Sequence, residues 1–534
     1  MKTFFSSPFM AIVITASFLL SGFKGTSQIQ HGGTPISLQA GFPEEPHKDQ
    51  ADPITLTPYH QSLRGEILAG KTPAGQPMRA GFGLQVNYHP LENGTWLKVG
   101  DSLWVWRLHI EVEKAHGLGL ILEEFTLEEG ARIFVLNEKT GEYTGAYTHL
   151  NNNTHQLLSV QALPGEKITI EYQEKVRAGK EKFSGSSFRI TELVYLVNGL
   201  MDSSTKNLGN SEACMINVNC SEGNEWQSQK RGVARILLKN GDSWFWCSGS
   251  LLNTTRQDGT PYFLTADHCG GGASHQDMRL WQFYFNFERP GCDNSGQPVN
   301  NVLYGCSLLV NSPLDGGSDF KLLMLNQHPP LAWQPYYNGW NILDIPSESG
   351  VGIHHPAGDA KKISTYQGAV YSGSASFSNG EEMADDAAWR FAYVATENGH
   401  SVTQGGSSGS AMFNQDGLIV GTLSGGSSSC DNPTGINVYG KMSYHWDLGD
   451  ERILQVKDYL DPNQTGIHAL QGYDPHTEAH PAPGFVSATL LQDEDKVRID
   501  WLKPGHTPNK EGWYQHTTQF TGARKDVPER VTVF

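Results

Sequence analysis

Three short segments hold the residues whose types and order could do chemistry in this 534-residue chain. Tyr262-Phe-Leu-Thr-Ala-Asp-His-Cys269 delivers His268 from the end of an apolar run, and Gly317-Ser-Asp-Phe-Lys-Leu-Leu-Met-Leu325 puts Asp319 at the head of another. Gly405-Gly-Ser-Ser-Gly-Ser-Ala411 holds Ser408 in a glycine-bracketed turn, followed by the apolar run Leu418-Ile-Val-Gly-Thr-Leu423. A hydroxyl that attacks a peptide carbonyl needs a base within hydrogen-bond reach, a buried acceptor that fixes the tautomer of that base, and two N–H groups aimed at the developing oxyanion. Ser408, His268 and Asp319 can fill the first three roles. The glycines around Ser408 permit the backbone twist that points successive amides inward, so the N–H groups of Gly406 and Ser408 are the expected oxyanion donors.

Each of these residues has a competitor and a plainer reading. A Ser-Gly-rich turn is usually only a turn, and an aspartate before an apolar strand is more often a cap. Ser407 and Ser410 flank Ser408, and Asp315 lies in a turn without an apolar strand behind it. Asp267 would point away from the site if His268 points in on a strand-like backbone. His354 and His355 are adjacent and so unsuited to holding one ion, and the cysteines contain no pair of CxxC motifs; neither metal nor cofactor is expected. The set in one order is what argues for catalysis.

Those segments must be positioned by β-structure. With 59 glycines, 13 tryptophans and 18% charged residues, the composition fits β-rich domains joined by tight turns, and the length fits several of them. The expected fold class is all-β and multidomain. The net charge of −17 excludes nonspecific binding to nucleic acid or acidic membranes. Met1 and Lys2 precede an apolar run, Phe9 to Leu20, and then small and polar residues, which reads as a signal peptide over 1–27 and predicts a secreted chain without a membrane anchor. Residues 28–75 read as an extended or loosely packed arm. From about Gly81, alternating segments such as Ser102 to Ile110, Ala131 to Leu136 and Lys167 to Tyr172 predict a β-sandwich that ends near Gly199. All seven cysteines follow, so residues 207–475 form a stapled domain, closed by a helix near Arg452 to Leu460. A linker at 476–484 leads to 485–534, which resembles two opening strands of a fibronectin type III module but is too short for a whole one.

Thr265-Ala-Asp-His-Cys269, Ser318-Asp-Phe-Lys-Leu-Leu323 and Gly406-Ser-Ser-Gly-Ser410 resemble the motifs of the bacterial lysyl endopeptidases, a branch of the trypsin-fold serine proteases. Further matches are Cys247-Ser-Gly-Ser-Leu-Leu252, Ile353-His-His-Pro356, Gly425-Gly-Ser-Ser-Ser-Cys430 and Tyr459-Leu-Asp-Pro-Asn-Gln-Thr-Gly466. The resemblance spans about residues 214–473 and implies a double β-barrel in which the frame of the nucleophile turn centres on Ser408. The separations of about 50 and about 90 residues within the triad agree with the chymotrypsin template. It also implies disulfides Cys214 with Cys430, Cys220 with Cys292 and Cys247 with Cys269, leaving Cys306 free.

The same resemblance implies a secreted endopeptidase, acting on proteins or peptides through an acyl-enzyme. It would be made as a zymogen with the sandwich, 28–206, as its own bound propeptide, and cut near Lys206-Asn207. The pocket for P1, the residue before the scissile bond, would be walled by Thr403 to Gly406 and by Ser424, Gly425 and Gly426. A lysine pocket needs a buried carboxylate. In the lysyl endopeptidases that acid stands two residues before a Tyr-Gly pair, where this chain has Asn437, and Ser424 stands where they carry a rim histidine. Asp431, after Cys430, is the acid that could restore the charge, so the sequence leaves Lys or Arg at P1 open. The rival reading is a catalytically inactive scaffold in a secreted binding or adhesion protein; a metal-dependent hydrolase lacks ligand spacing.

Overall fold

The computed structural model describes residues 30–42, 53–70, 77–176, 181–199, 211–299, 301–448 and 454–476, and the backbone of three strands between 486 and 519. The expected signal peptide and the Lys206-Asn207 cut lie outside the described residues. Residues up to Tyr473 form one unit and Asp474–Phe534 a second.

Alternation builds the N-terminal layers. In Leu103–Glu111, Trp106, Leu108 and Ile110 share one face, as do Ile133 and Val135 of Arg132–Leu136 and Ile168, Ile170 and Tyr172 of Lys167–Lys175. These strands belong to a five-stranded antiparallel sheet with Thr95–Val99 and Tyr143–Tyr147 at its edges. Its apolar face packs against Phe82, Leu84, Leu118, Leu120, Leu158, Ile190 and Tyr195 of a second layer, made by Met78–Tyr88, Ser187–Leu196, Gly117–Thr126 and Leu158–Pro164. The expected extended arm contains instead a helix, Pro58–Leu68, capped by Thr57 and with Pro at its first turn. It buries only Leu63 and Ile67, which is why its periodicity is faint.

Two barrel-like layers follow. The strands Val233–Asn240, Ser243–Leu252, Tyr262–Thr265, Gln282–Phe285, Asn301–Tyr304, Cys306–Ser312 and Phe320–Leu325 point Ile236, Phe245, Phe263, Phe283, Leu303 and Leu323 into one core. Ser349–His354, Lys362–Gln367, Ala388–Phe391, Ala411–Asn414, Ile419–Gly426 and Asn437–Lys441 enclose a second core around Tyr366, Trp389, Phe391, Met412 and Tyr439. Between them, Val233, Leu252, Leu264 and Leu322 meet Val351, Ile353, Ala411 and Phe413. The cysteines are bonded as Cys214–Cys430, Cys220–Cys292 and Cys247–Cys269. Cys306 is free and buried, and burial pushes its thiol pKa well up, which suits an inert core residue. A short helix, Val456–Leu460, stands where the closing helix is expected. The second unit holds a three-stranded antiparallel sheet, Val486–Leu491, Lys496–Leu502 and Trp513–Gln519.

The sandwich and the first barrel share a sheet. Met78–Tyr88 pairs on one side with Ser187–Leu196 and on the other with Ser243–Leu252, in the register Met78↔Trp246 to Phe82↔Ser243. Across this junction the buried Glu192 carboxylate accepts from Lys239 Nζ (2.9 and 2.7 Å) and from Trp244 Nε1 (3.0 Å). Removing one partner strands a buried charge. Lys239→Met should therefore cost about 3–5 kcal/mol in denaturant unfolding, with Glu192→Gln in the same chain recovering most of the loss. A single variant as stable as wild type would show that the pair is solvated.

Candidate active site

Strand register brings His268 to Asp319. Tyr262–Thr265 runs antiparallel to Phe320–Leu325 with Thr265 opposite Lys321, so the residues just past one strand face those just before the other. Asp319 is wholly buried and has φ of 55°, a left-handed conformation that aspartate tolerates better than most residues. Its Oδ1 accepts the His268 backbone N–H at 2.9 Å and its Oδ2 lies 2.7 Å from His268 Nδ1. The ring is thereby fixed with Nδ1 protonated and Nε2 turned to the remaining side. The Cys247–Cys269 bond tethers the residue after His268 to the neighbouring strand.

Burial is the largest influence on His268 and by itself lowers its pKa. The charge and hydrogen bond of Asp319, with the charge of Asp267, together outweigh it, and the pKa lies above the ordinary 6.5. Asp267 turns away from the ring, accepting from Asn311 Nδ2 (2.7 Å) beside Lys321 Nζ (3.4 Å). Asp315 accepts the Glu382 N–H and takes no part.

The turn that carries Ser408 is held from below. Ser248, next to Cys247, donates its N–H to Ser408 O (2.8 Å) and its hydroxyl to Gly406 O (3.0 Å). Its own carbonyl accepts from Thr265 Oγ1 (2.8 Å), three residues before His268. Among the described residues the N–H groups of Gly406 and Ser408 have no acceptor, whereas those of Ser407, Gly409 and Ser410 donate to Gln404, Leu423 and Ser407 carbonyls. Two uncommitted amides in one turn are what an oxyanion requires. Gly406 (φ 95°) and Gly409 (φ 79°) cannot be replaced, because a Cβ would stand 2.9 Å from Ala357 N and 2.2 Å from Thr265 Oγ1.

Of the three serines only Ser408 is partly exposed; Ser407 and Ser410 are fully buried. Its hydroxyl makes no hydrogen bond to His268 or to any other described residue, a looseness common in serine hydrolases before substrate binds. Ser407 Oγ instead lies 2.7 Å from His354 Nδ1 and accepts the Gln404 N–H (3.2 Å). His354 Nε2 lies 3.0 Å from Ser364 Oγ, which donates to Val402 O (3.0 Å). Ser364 is thus the acceptor from Nε2–H, and Nδ1 accepts from Ser407. Burial, reinforced by the Lys362 charge, pushes His354 down to about 3, so this neutral chain persists through ordinary pH. His354 and Ser248 are the supporting residues that sequence reasoning missed.

The expected pocket residues also meet. Thr403 Oγ1 donates to Asn437 Oδ1 at 2.9 Å, both being buried. Ser424 is buried beside the glycines Gly425 and Gly426 that end its strand. Asp431 is exposed at the tip of the hairpin whose arms join at Ser427 and Ile436. The Met78 side chain lies against Gly405, 3.2 Å from where a Cβ would stand.

Residues 208–440 match the family described as lysyl endopeptidase, C-terminal domain. A lysyl endopeptidase of Pseudomonas aeruginosa is 26% identical over 400 residues, 71% of this chain and 80% of the relative. Among solved structures, the HtrA-type protease AlgW with a tripeptide is 13% identical over 56% of this chain and 96% of its own (TM-score 0.30). The protease Anisep from Arthrobacter nicotinovorans is 15% identical over 40% and 91% (TM-score 0.27). The family match and the curated relative support a serine protease. Within that class it is lysyl endopeptidase-like over the matched residues.

The pKa of His268 makes a testable statement, because the ring acts as a base only when neutral. The acid limb of kcat/KM should lie above pH 6.5. Asp319→Asn removes the charge that opposes burial, so the limb should move below 6.5 and kcat should fall about 10⁴-fold. An acid limb that stays in place would detach His268 from Asp319.

Proposed function

We propose that this chain is an exported serine endopeptidase, made as a zymogen, that hydrolyses peptide bonds in proteins through an acyl-enzyme on Ser408. The reading rests on one arrangement: a buried carboxylate fixing His268 through two hydrogen bonds, beside a turn with two uncommitted amides. His268 Nε2 takes the Ser408 hydroxyl proton as Oγ attacks the scissile carbonyl. The carbonyl oxygen becomes an oxyanion held by the N–H groups of Gly406 and Ser408. His268 then returns the proton to the leaving amine, and water repeats the sequence on the ester.

Export is supported by three disulfides and the apolar N-terminal run. Among the described residues no helix is long and apolar enough to cross a membrane. The zymogen reading is supported by the sandwich strand paired to Ser243–Leu252, with Met78 on Gly405 next to the oxyanion donors. Ser211 and Glu212, just ahead of Cys214, are held by Asp359 and Gln404.

A fluorophosphonate probe should label the matured protein, and Ser408→Ala should abolish labelling. Unlabelled matured protein, or labelling that survives in the mutant, would favour a binding scaffold. N-terminal sequencing of wild type should find a cut within residues 200–213. The same cut in Ser408→Ala would show that another protease performs it; its absence would show self-cleavage.

A further inference from the structure

The residues expected to wall the P1 pocket beside Ser408 have a definite polar inventory. Thr403 stands five residues before Ser408 in the chain, and the strand Ile419–Gly426 runs beside the turn, its Leu423 O accepting the Gly409 N–H at 2.9 Å. Asn437 opens the next strand, pairs with Gly426 on one side and Phe391 on the other, and is fully buried. Its Oδ1 accepts from Thr403 Oγ1 (2.9 Å) and Ser428 Oγ (2.6 Å), so the amide oxygen and both hydroxyl protons are committed to one another. Its Nδ2 has only long contacts, to Gly435 O (3.4 Å) and Phe391 O (3.5 Å). The buried Ser424 hydroxyl has no partner among the described residues.

The walls add no charge. Gly425 presents bare backbone towards Phe377, whose ring is 3.1 Å from where a Cβ would stand. Phe377 in turn packs on the apolar group Leu314, Ala375, Met383, Ala388 and Val438. The acids on the flanking segments are directed elsewhere. Asp431 and Glu212 are exposed, Glu382 accepts from Ser376, and Asp386 pairs with Lys441.

A lysine or arginine entering such a site would give up its hydration with no carboxylate to meet it. An uncharged side chain loses nothing comparable, and it meets one free hydroxyl, an under-used amide N–H edge and an apolar wall. We propose that the pocket takes an uncharged P1 side chain and that Asn437 is the residue that sets this preference. The inference rests on the serine endopeptidase reading above and names its substrate class: peptides cut after uncharged residues. It also assigns the switch. An aspartate at 437 would receive the same two hydroxyl donors, Thr403 and Ser428, and would carry the charge a lysine needs.

The test uses full-length protein, exported and matured, with active sites counted by fluorophosphonate labelling. Quenched peptides that differ only at P1 (Ala, Leu, Phe, Asn, Gln, Glu, Lys, Arg) are cleaved by wild type and by Asn437→Asp. The expected result is a wild-type kcat/KM at least 10-fold higher for the best uncharged residue than for Lys or Arg. In Asn437→Asp the ratio of Lys to the best uncharged residue should rise at least 10-fold, each rate being taken per labelled active site. A labelled wild-type enzyme that prefers Lys or Arg overturns the assignment, as does a labelled Asn437→Asp enzyme whose ratio does not move. If Asn437→Asp does not mature, Ser424→Asp places a carboxylate at the unpartnered hydroxyl and is read in the same way. A wild type that neither labels nor cleaves any peptide sinks the endopeptidase reading itself, which separates the two failures.

Discussion

One buried carboxylate organises the site. Asp319 is sealed from solvent, and both of its oxygens are turned on a single residue, one to the backbone and one to the ring of His268. A charge in that position is tolerable only while those donors stay in place. The strand pairing that delivers Thr265 opposite Lys321 is therefore as much a part of the site as the imidazole, and the bond from Cys247 to Cys269 limits how far that pairing can drift.

The half of the site that carries Ser408 is built by a different device. It belongs to the second barrel but takes its shape from the first, through Ser248, whose N–H and hydroxyl hold the carbonyls of Ser408 and Gly406. On its other side the path from Gln404 through Ser407, His354 and Ser364 to Val402 ties the turn to the segment that leads into it without any charge. A neutral imidazole suits this place because it gives one donor and one acceptor, while a protonated ring would face the Ser407 oxygen with a second donor.

What could be read from sequence follows the range of the forces involved. His268, Asp319 and Ser408 were legible because each sits where a strand meets a turn, and the sandwich strands because alternation is local. Contacts that span the chain left no local trace. Ser248 reaches Gly406 across 158 residues, and His354 reaches Ser407 across 53. The adjacent histidines are unsuited to holding one ion, and only the fold shows that one of them braces the turn that carries Ser408. The helix Pro58–Leu68 was missed for the opposite reason, since two buried residues make too weak a stripe to register. The cysteine pairing came through resemblance, because seven cysteines alone leave many connectivities open.

The shared sheet also bears on what becomes of the two modules if they part. Ser243 to Trp246 are hydrogen-bonded on one side to Asn240 through Leu237 and on the other to Met78 through Phe82. Take the N-terminal strand away and that second side becomes a bare edge, with Trp244 and Trp246 beside it, a ready template for any extended peptide or for another molecule's edge. Separation would therefore create a sticky seam, and the released barrel would need a new cover, a charged solvent shell or its old strand kept in place to remain a monomer in solution.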